Sequence, residues 1–195
     1  MIVGMETIRR SRLALSALTV AVALCCTTIQ TSAQRPTLAP YIATPEDVVE
    51  RMLVLAEVTN RDTVYDLGCG DGRVVITAAK KYGARGVGID IDKDRIDESR
   101  KNAREAGVAS LVRFERGDIL DANVSDATVV MLYLVSSANL KLRPILTKQL
   151  QPGARIVSHS FGMGDWHPDK VDKFTDGRGD QRVLYLWRAD GKVRP

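Results

Sequence analysis

Three aspartates and a cluster of glycines stand at the ends of short apolar runs in this chain. Val64-Tyr65-Asp66-Leu67-Gly68-Cys69-Gly70-Asp71-Gly72 joins an apolar run to a stretch of small residues, Asp90 follows 22 residues after Gly68, and Asp118 follows Gly117. Glycines let a backbone turn tightly and let a ligand approach without a Cβ in the way. A carboxylate at the place of Asp90 accepts both hydroxyls of a ribose, and Asp118 can reach the edge of an adenine. A dinucleotide fingerprint, G-x-G-x-x-G, would put its third glycine at position 73, where this chain has Arg73. The observed G-x-G-x-G disfavours a nicotinamide-dependent oxidoreductase. Asp66, ahead of the glycines, would repel a phosphate and attract an ammonium. S-adenosylmethionine, with an ammonium and a sulfonium, suits such a loop.

A sulfonium is an activated methyl donor. The protein must therefore hold an acceptor in line with the methyl, exclude water and keep the acceptor neutral. Tyr133 closes the most hydrophobic run, Thr128 to Leu134, and its ring can meet a sulfonium or a methylated ammonium by cation–π attraction. Asp165 and Trp166 follow the run Arg155 to His159 and can shape an acceptor channel. His159 and His167 are candidate proton acceptors. These two histidines are eight residues apart and the one cysteine beyond residue 33 is Cys69, so no metal site is expected.

Alternating strands and helices must carry these residues. Thr44-Pro45-Glu46-Asp47 predicts a helix start with Thr44 as N-cap and Asp47 completing a capping box, and an apolar stripe runs on to about Val58. Strands are expected over Thr63 to Leu67, Gly86 to Asp90, Val112 to Glu115, Thr128 to Leu134 and Arg155 to His159. Helices are expected over Arg73 to Tyr82, Asp92 to Ala106, and about Ser137 to Leu150 with Pro144 inside. A closing hairpin is expected around Asp176-Gly177, ending in Val183 to Arg188. Strands separated by helices make a parallel, doubly wound sheet, whose ligands bind outside the carboxyl ends of the strands.

The chain has 195 residues, 45% hydrophobic and 27% charged, enough for one globular domain and unlike collagen, a coiled coil or a multi-span membrane protein. Arg9, Arg10 and Arg12 precede the apolar run Leu13 to Cys26 and the small polar stretch Thr27 to Gln34, the order of a secretory signal with its cut after Ala33. The expected organisation is a signal peptide or anchor over 1–33, a linker over 34–43 and a single domain over 44–195. Export or membrane anchoring is expected, with membrane association through residues 13–29; a misassigned start would mean a cytoplasmic protein. Beyond residue 33 the chain keeps 25 basic and 23 acidic residues, so no nucleic-acid partner is expected. A cleaved chain retains one cysteine and has no intramolecular disulfide.

The runs DLGCGDGR (Asp66 to Arg73), GVGID ending at Asp90 and RGDIL containing Asp118 resemble the cofactor motifs of class I, seven-stranded methyltransferases. Tyr41-Ile42-Ala43-Thr44-Pro45, Leu132-Tyr133-Leu134, Ser158-His159 and Gly164-Asp165-Trp166 resemble the small protein-lysine methyltransferases of archaea and mitochondria. The resemblance implies a mostly parallel seven-stranded Rossmann-like sheet with a C-terminal antiparallel hairpin. It implies S-adenosylmethionine held by Tyr41, Thr44, Asp66, Leu67, Gly68, Cys69, Gly70, Gly72, Asp90, Ile91, Asp118 and Ile119, with Tyr41 and Thr44 at the methionine end. Tyr133, Asp165 and Trp166 then serve the acceptor, a lysine of a protein substrate, and a monomer is expected. A small-molecule methyltransferase and an exported, non-catalytic relative that keeps the fold are the alternatives.

Overall fold

The computed structural model describes residue 38 and residues 41–195. Helix α1 (Glu46–Leu55) leads into β1 (Thr63–Leu67), α2 (Arg73–Tyr82), β2 (Arg85–Asp90), α3 (Lys93–Glu105), β3 (Val112–Arg116), a 3-10 turn (Ile119–Asp121), β4 (Val129–Leu132), α4 (Ser136–Gln149), β5 (Arg155–His159), β6 (Lys170–Thr175) and β7 (Gln181–Arg188). The seven strands form one sheet in the order β3-β2-β1-β4-β5-β7-β6. The first five pair in parallel, and β7 lies antiparallel to both β5 and β6. The doubly wound sheet and its closing hairpin thus match the expectation from sequence. The order reverses between β1 and β4, and in open α/β sheets that reversal makes the ligand crevice at the carboxyl ends.

Side chains alternate across each strand, so every strand supplies both faces. Val64, Val129, Met131, Val157 and Leu184 pack with α1 and α2 residues in one core; Tyr65, Leu67, Val130, Leu132 and Ile156 pack with α4 in the other. Burial on both faces explains why the parallel strands read as near-continuous apolar runs. Pro144 sits inside α4, as expected.

Two expectations are corrected. Helix α1 begins at Glu46 with Pro45 at its cap and no side-chain cap bond. Asp47 does not close a capping box; its Oδ2 accepts the Gly177 N–H at 2.6 Å in the β6–β7 turn. This long-range bond, unreadable from local sequence, anchors the hairpin to α1. The second correction concerns placement. Among the described residues no helix is long and apolar enough to cross a membrane. The membrane association assigned to residues 13–29, and the exported or anchored location built on it, therefore find no spanning helix to support them among the described residues. The segment itself, the cut after Ala33 and the proposed linker boundary lie outside the described residues.

Candidate functional site

A cavity of about 480 Å³ opens at the carboxyl ends of β1, β2 and β4, next to the reversal in strand order. Its floor is the turn after β1. There the N–H groups of Gly68 and Cys69 both donate to the Ile89 carbonyl, at 2.8 and 3.0 Å, pinning the turn to β2. Gly68, Gly70 and Gly72 all have positive φ (87°, 53° and 81°), the region glycine enters without steric cost. A Cβ on Gly70 would stand 2.3 Å from the Tyr41 ring.

Asp90 ends β2 as the strand pattern requires. Its Oδ2 accepts the Gly70 N–H at 2.8 Å and its Oδ1 accepts the Asp92 N–H at 2.9 Å, so it braces the glycine turn while it lines the cavity. Asp118 Oδ1 accepts the Leu120 N–H at 2.9 Å, capping the short 3-10 turn at the far wall. Asp66 is buried at the centre. Burial, then the charges of Asp90 and Asp71, push its carboxyl up to about 8, because each disfavours a further negative charge there. Several carboxyl groups converging on one cavity repel a pyrophosphate and welcome a cation. The Cys69 thiol, also buried, is raised far above its ordinary value by burial and by the charges of Asp66 and Asp90, and is not a nucleophile.

The segment ahead of α1 crosses one side of the cavity. Leu38, Tyr41, Ile42, Ala43 and Thr44 all line it. The Arg95 guanidinium lies 3.9 Å above the Tyr41 ring, and Arg73 donates to the Thr44 carbonyl at 2.7 Å while its other nitrogens hold Asp71. Burial and the nearby Asp71 raise the Tyr41 hydroxyl above its ordinary value.

The structure therefore brings together Tyr41, Thr44, Asp66, Gly68, Cys69, Asp90, Ile91, Asp118, Ile119 and Tyr133. Leu67 is not among them: strand alternation turns it into the α4-side core. Gly70 and Gly72 do not line the cavity either: Gly70 packs under the Tyr41 ring and Gly72 against Phe114 and Ser99. Asp165 and Trp166 lie away from the cavity. Asp165 is exposed and paired with Arg143 of α4; the Trp166 carbonyl accepts from Trp187 Nε1 at 2.8 Å, and its ring lies 4.4 Å below Arg194. The loop after β5 folds onto α4 through an Arg143 bond to the Met163 carbonyl, which carries both side chains off the strand ends. Sequence reasoning missed Met52, Asp71, Arg73 and Arg95 as wall residues. Asp71 and Arg73 sat inside the quoted glycine motif; Arg95 pairs locally with Glu98, and its place on the wall comes from Tyr41, far off in the chain.

A sheet of this order, with a carboxylate ending β2 and a glycine turn walling an acidic cavity, is that of a class I S-adenosylmethionine-dependent methyltransferase. The ANTKMT methyltransferase domain family matches residues 66–170, and the chain belongs to that family. A protein-lysine N-methyltransferase of Saccharolobus islandicus is 44% identical over 149 residues, covering 76% of this chain and 92% of that protein. The adenine nucleotide translocase lysine N-methyltransferase of Mus musculus is 32% identical over 152 residues; the match covers 77% of this chain and 62% of the mouse protein, less than two thirds of its length. The crystal structure of an RNA methyltransferase from Salinibacter ruber in complex with S-adenosyl-L-homocysteine superposes with a TM-score of 0.73 at 53% identity, covering 78% of this chain and 97% of that one.

Proposed function

We propose that this enzyme transfers the methyl group of S-adenosylmethionine to a lysine side chain of a protein. The observation that carries the acceptor is the Saccharolobus islandicus protein-lysine N-methyltransferase, similar along 92% of its own length. The cavity fits the donor: a glycine turn that tolerates close approach, Asp90 at ribose height, Asp118 at the far wall and the buried Asp66 for a cationic group.

Bound S-adenosylmethionine supplies a methyl already activated by its sulfonium. The chain's own residues do the rest. Asp90 and Asp118 orient the nucleoside, Asp66 pairs with the ammonium, and Tyr41 with Thr44 covers the methionine end. Tyr133, half-buried at the end of β4, presents its ring to the incoming amine. A lysine ammonium has an ordinary pKa of about 10.4, and a dry aromatic wall favours its neutral form by desolvation, freeing the lone pair for in-line attack. His159 does not take that proton: burial, aided by Arg182, pulls its pKa down to about 4.

The Salinibacter ruber RNA methyltransferase, at 53% identity, favours a second reading with a nucleic-acid acceptor. Against it stands a second groove that shares Arg73 with the cavity. It carries Glu46, Asp47 and Glu50 against Arg178 and Arg73, with Glu50 paired to Lys81 and Arg73 held by Asp71. A groove in which paired acids and arginines alternate offers no continuous basic surface for a phosphate backbone. Incubation with labelled donor and a mixture of proteins and RNA decides between them. The lysine reading predicts label on protein lysine that is lost with Tyr133→Ala, while donor affinity stays within a few-fold. Label confined to RNA or to small molecules overturns it.

A further inference from the structure

One register beyond the paired Leu132 and Ser158, the side chains of Tyr133 and His159 meet across β4 and β5. Their ring centroids are 4.0 Å apart with planes inclined by 33°. Tyr133 lines the cavity, whereas His159 is fully buried behind it, and neither of its ring nitrogens has a hydrogen-bond partner. A neutral imidazole has one donor and one acceptor to satisfy, and buried polar atoms are rarely left unmet. No hydrogen bond fixes this ring, so the Tyr133 face and the surrounding packing hold it.

The charged groups that act on it are Arg182 of β7 and Asp176 of the β6–β7 turn, and they pair with each other at 2.7 Å. A neutral ring on one face of Tyr133 leaves the π-electrons of the phenol available to a cation on the other. An imidazolium there would compete for the same electrons and repel a cationic ligand.

We propose that His159 is a positioning residue for methyl transfer: stacked on Tyr133 as an uncharged ring, it fixes the orientation of the aromatic wall that receives the acceptor. The identity of that acceptor as a lysine rests on the reading above. Without the stack the phenol gains rotamer freedom, and transfer that needs reacting atoms at about 3 to 3.5 Å tolerates little misplacement. Such a defect appears in kcat rather than in donor binding.

The test compares His159→Ala and His159→Phe in the full chain. Donor affinity is measured by calorimetry, kcat and KM on the acceptor that wild type labels, and the Tyr133 ring signals by NMR in the donor-bound protein without acceptor. His159→Ala is expected to lower kcat about tenfold or more, with donor affinity within about threefold, and to shift the Tyr133 signals. His159→Phe keeps a ring of similar shape and is expected to restore kcat to within about threefold of wild type. If His159→Ala does not fold, His159→Leu fills the volume without a ring and is expected to show the same loss. Wild-type kcat in the ringless variants, unmoved Tyr133 signals, or a His159→Phe enzyme as slow as His159→Ala each overturn the proposal. Should wild type label no protein lysine, the acceptor reading fails, while the NMR signals and kcat on the acceptor it does label still decide the role of His159.

Discussion

Arg73 donates to the backbone carbonyl of Thr44 at 2.7 Å, joining the first turn of α2 to the segment that walls the cavity 29 residues earlier. The same guanidinium grips Asp71 through its Nε and a terminal nitrogen, at 2.9 and 2.5 Å. The residue that departs from a dinucleotide fingerprint thus holds a wall of the cavity. Its fork geometry suits this double duty better than a lysine would.

Arg73→Ala is expected to free residues 41–44, raising their amide exchange, and to weaken S-adenosylmethionine about tenfold through loss of charge-assisted bonds worth roughly 1.5 to 3 kcal/mol in gross terms. Arg73→Lys should fall between the two. Unchanged exchange over 41–44 in Arg73→Ala would show that the wall holds itself.

Asp90 serves both the glycine turn and the proposed ribose contact. Asp90→Ala removes the acceptor for the Gly70 N–H as well. Donor affinity by calorimetry is expected to fall at least tenfold, on the order of 1.4 kcal/mol or more, with the cooperative unfolding transition retained.

The Asp66 carboxyl, pushed up to about 8 by burial and by its neighbours Asp90 and Asp71, is largely protonated at neutral pH in the free enzyme. The folded state then holds a proton that the unfolded chain has released, so this group's contribution to stability is full at acid pH and is lost as pH rises from about 4 through 8. A cationic donor favours the ionised form. Binding should therefore release close to one proton at about pH 7, read from calorimetric enthalpies in buffers of different ionisation heat, and affinity should rise from pH 6 to 8. Asp66→Asn is expected to remove both effects.

His159 works in the opposite direction. Its pKa is lowered to about 4 by burial and by Arg182, so below its ordinary value near 6.5 the unfolded chain binds a proton that the folded protein refuses. Its contribution is present above about 6.5 and is lost as pH falls to about 4, on the order of 3 kcal/mol in all. Denaturant unfolding of wild type and His159→Phe at pH 7 and pH 4.5 should show a larger loss in wild type, by about 2 to 3 kcal/mol.

Gly72 combines a φ of 81° with a tight site: an added Cβ would stand 2.6 Å from the Phe114 ring and 2.9 Å from Ser99 Cβ. Gly72→Ala is expected to cost about 2 to 4 kcal/mol from left-handed strain and overpacking. Thermal unfolding should fall by roughly 10 °C.

Residue types and their order determined the frame. Apolar runs separated by helical stretches dictate a parallel sheet buried on both faces, and a glycine turn can only follow β1 because that is where DLGCGDG stands. Asp66, Asp90 and Asp118 then fall at strand ends by chain order alone, and the structure gathers them round one cavity. Such features are local, set by periodicity of two or 3.6 and by the φ demands of glycine.

Tertiary structure decided what lies across the sheet and between distant segments. Asp165 and Trp166 follow β5 in sequence, yet one arginine on α4 turns their loop away from the strand ends. Thr44 makes no side-chain cap on α1 but lines the cavity, where the resemblance had placed it, its carbonyl held by Arg73, while Asp47 reaches the hairpin turn. Tyr133 follows β4 and His159 ends β5, and only the parallel pairing of the two strands makes them neighbours. Contacts of this kind depend on which faces meet after the chain folds back, and no short window of sequence contains both partners.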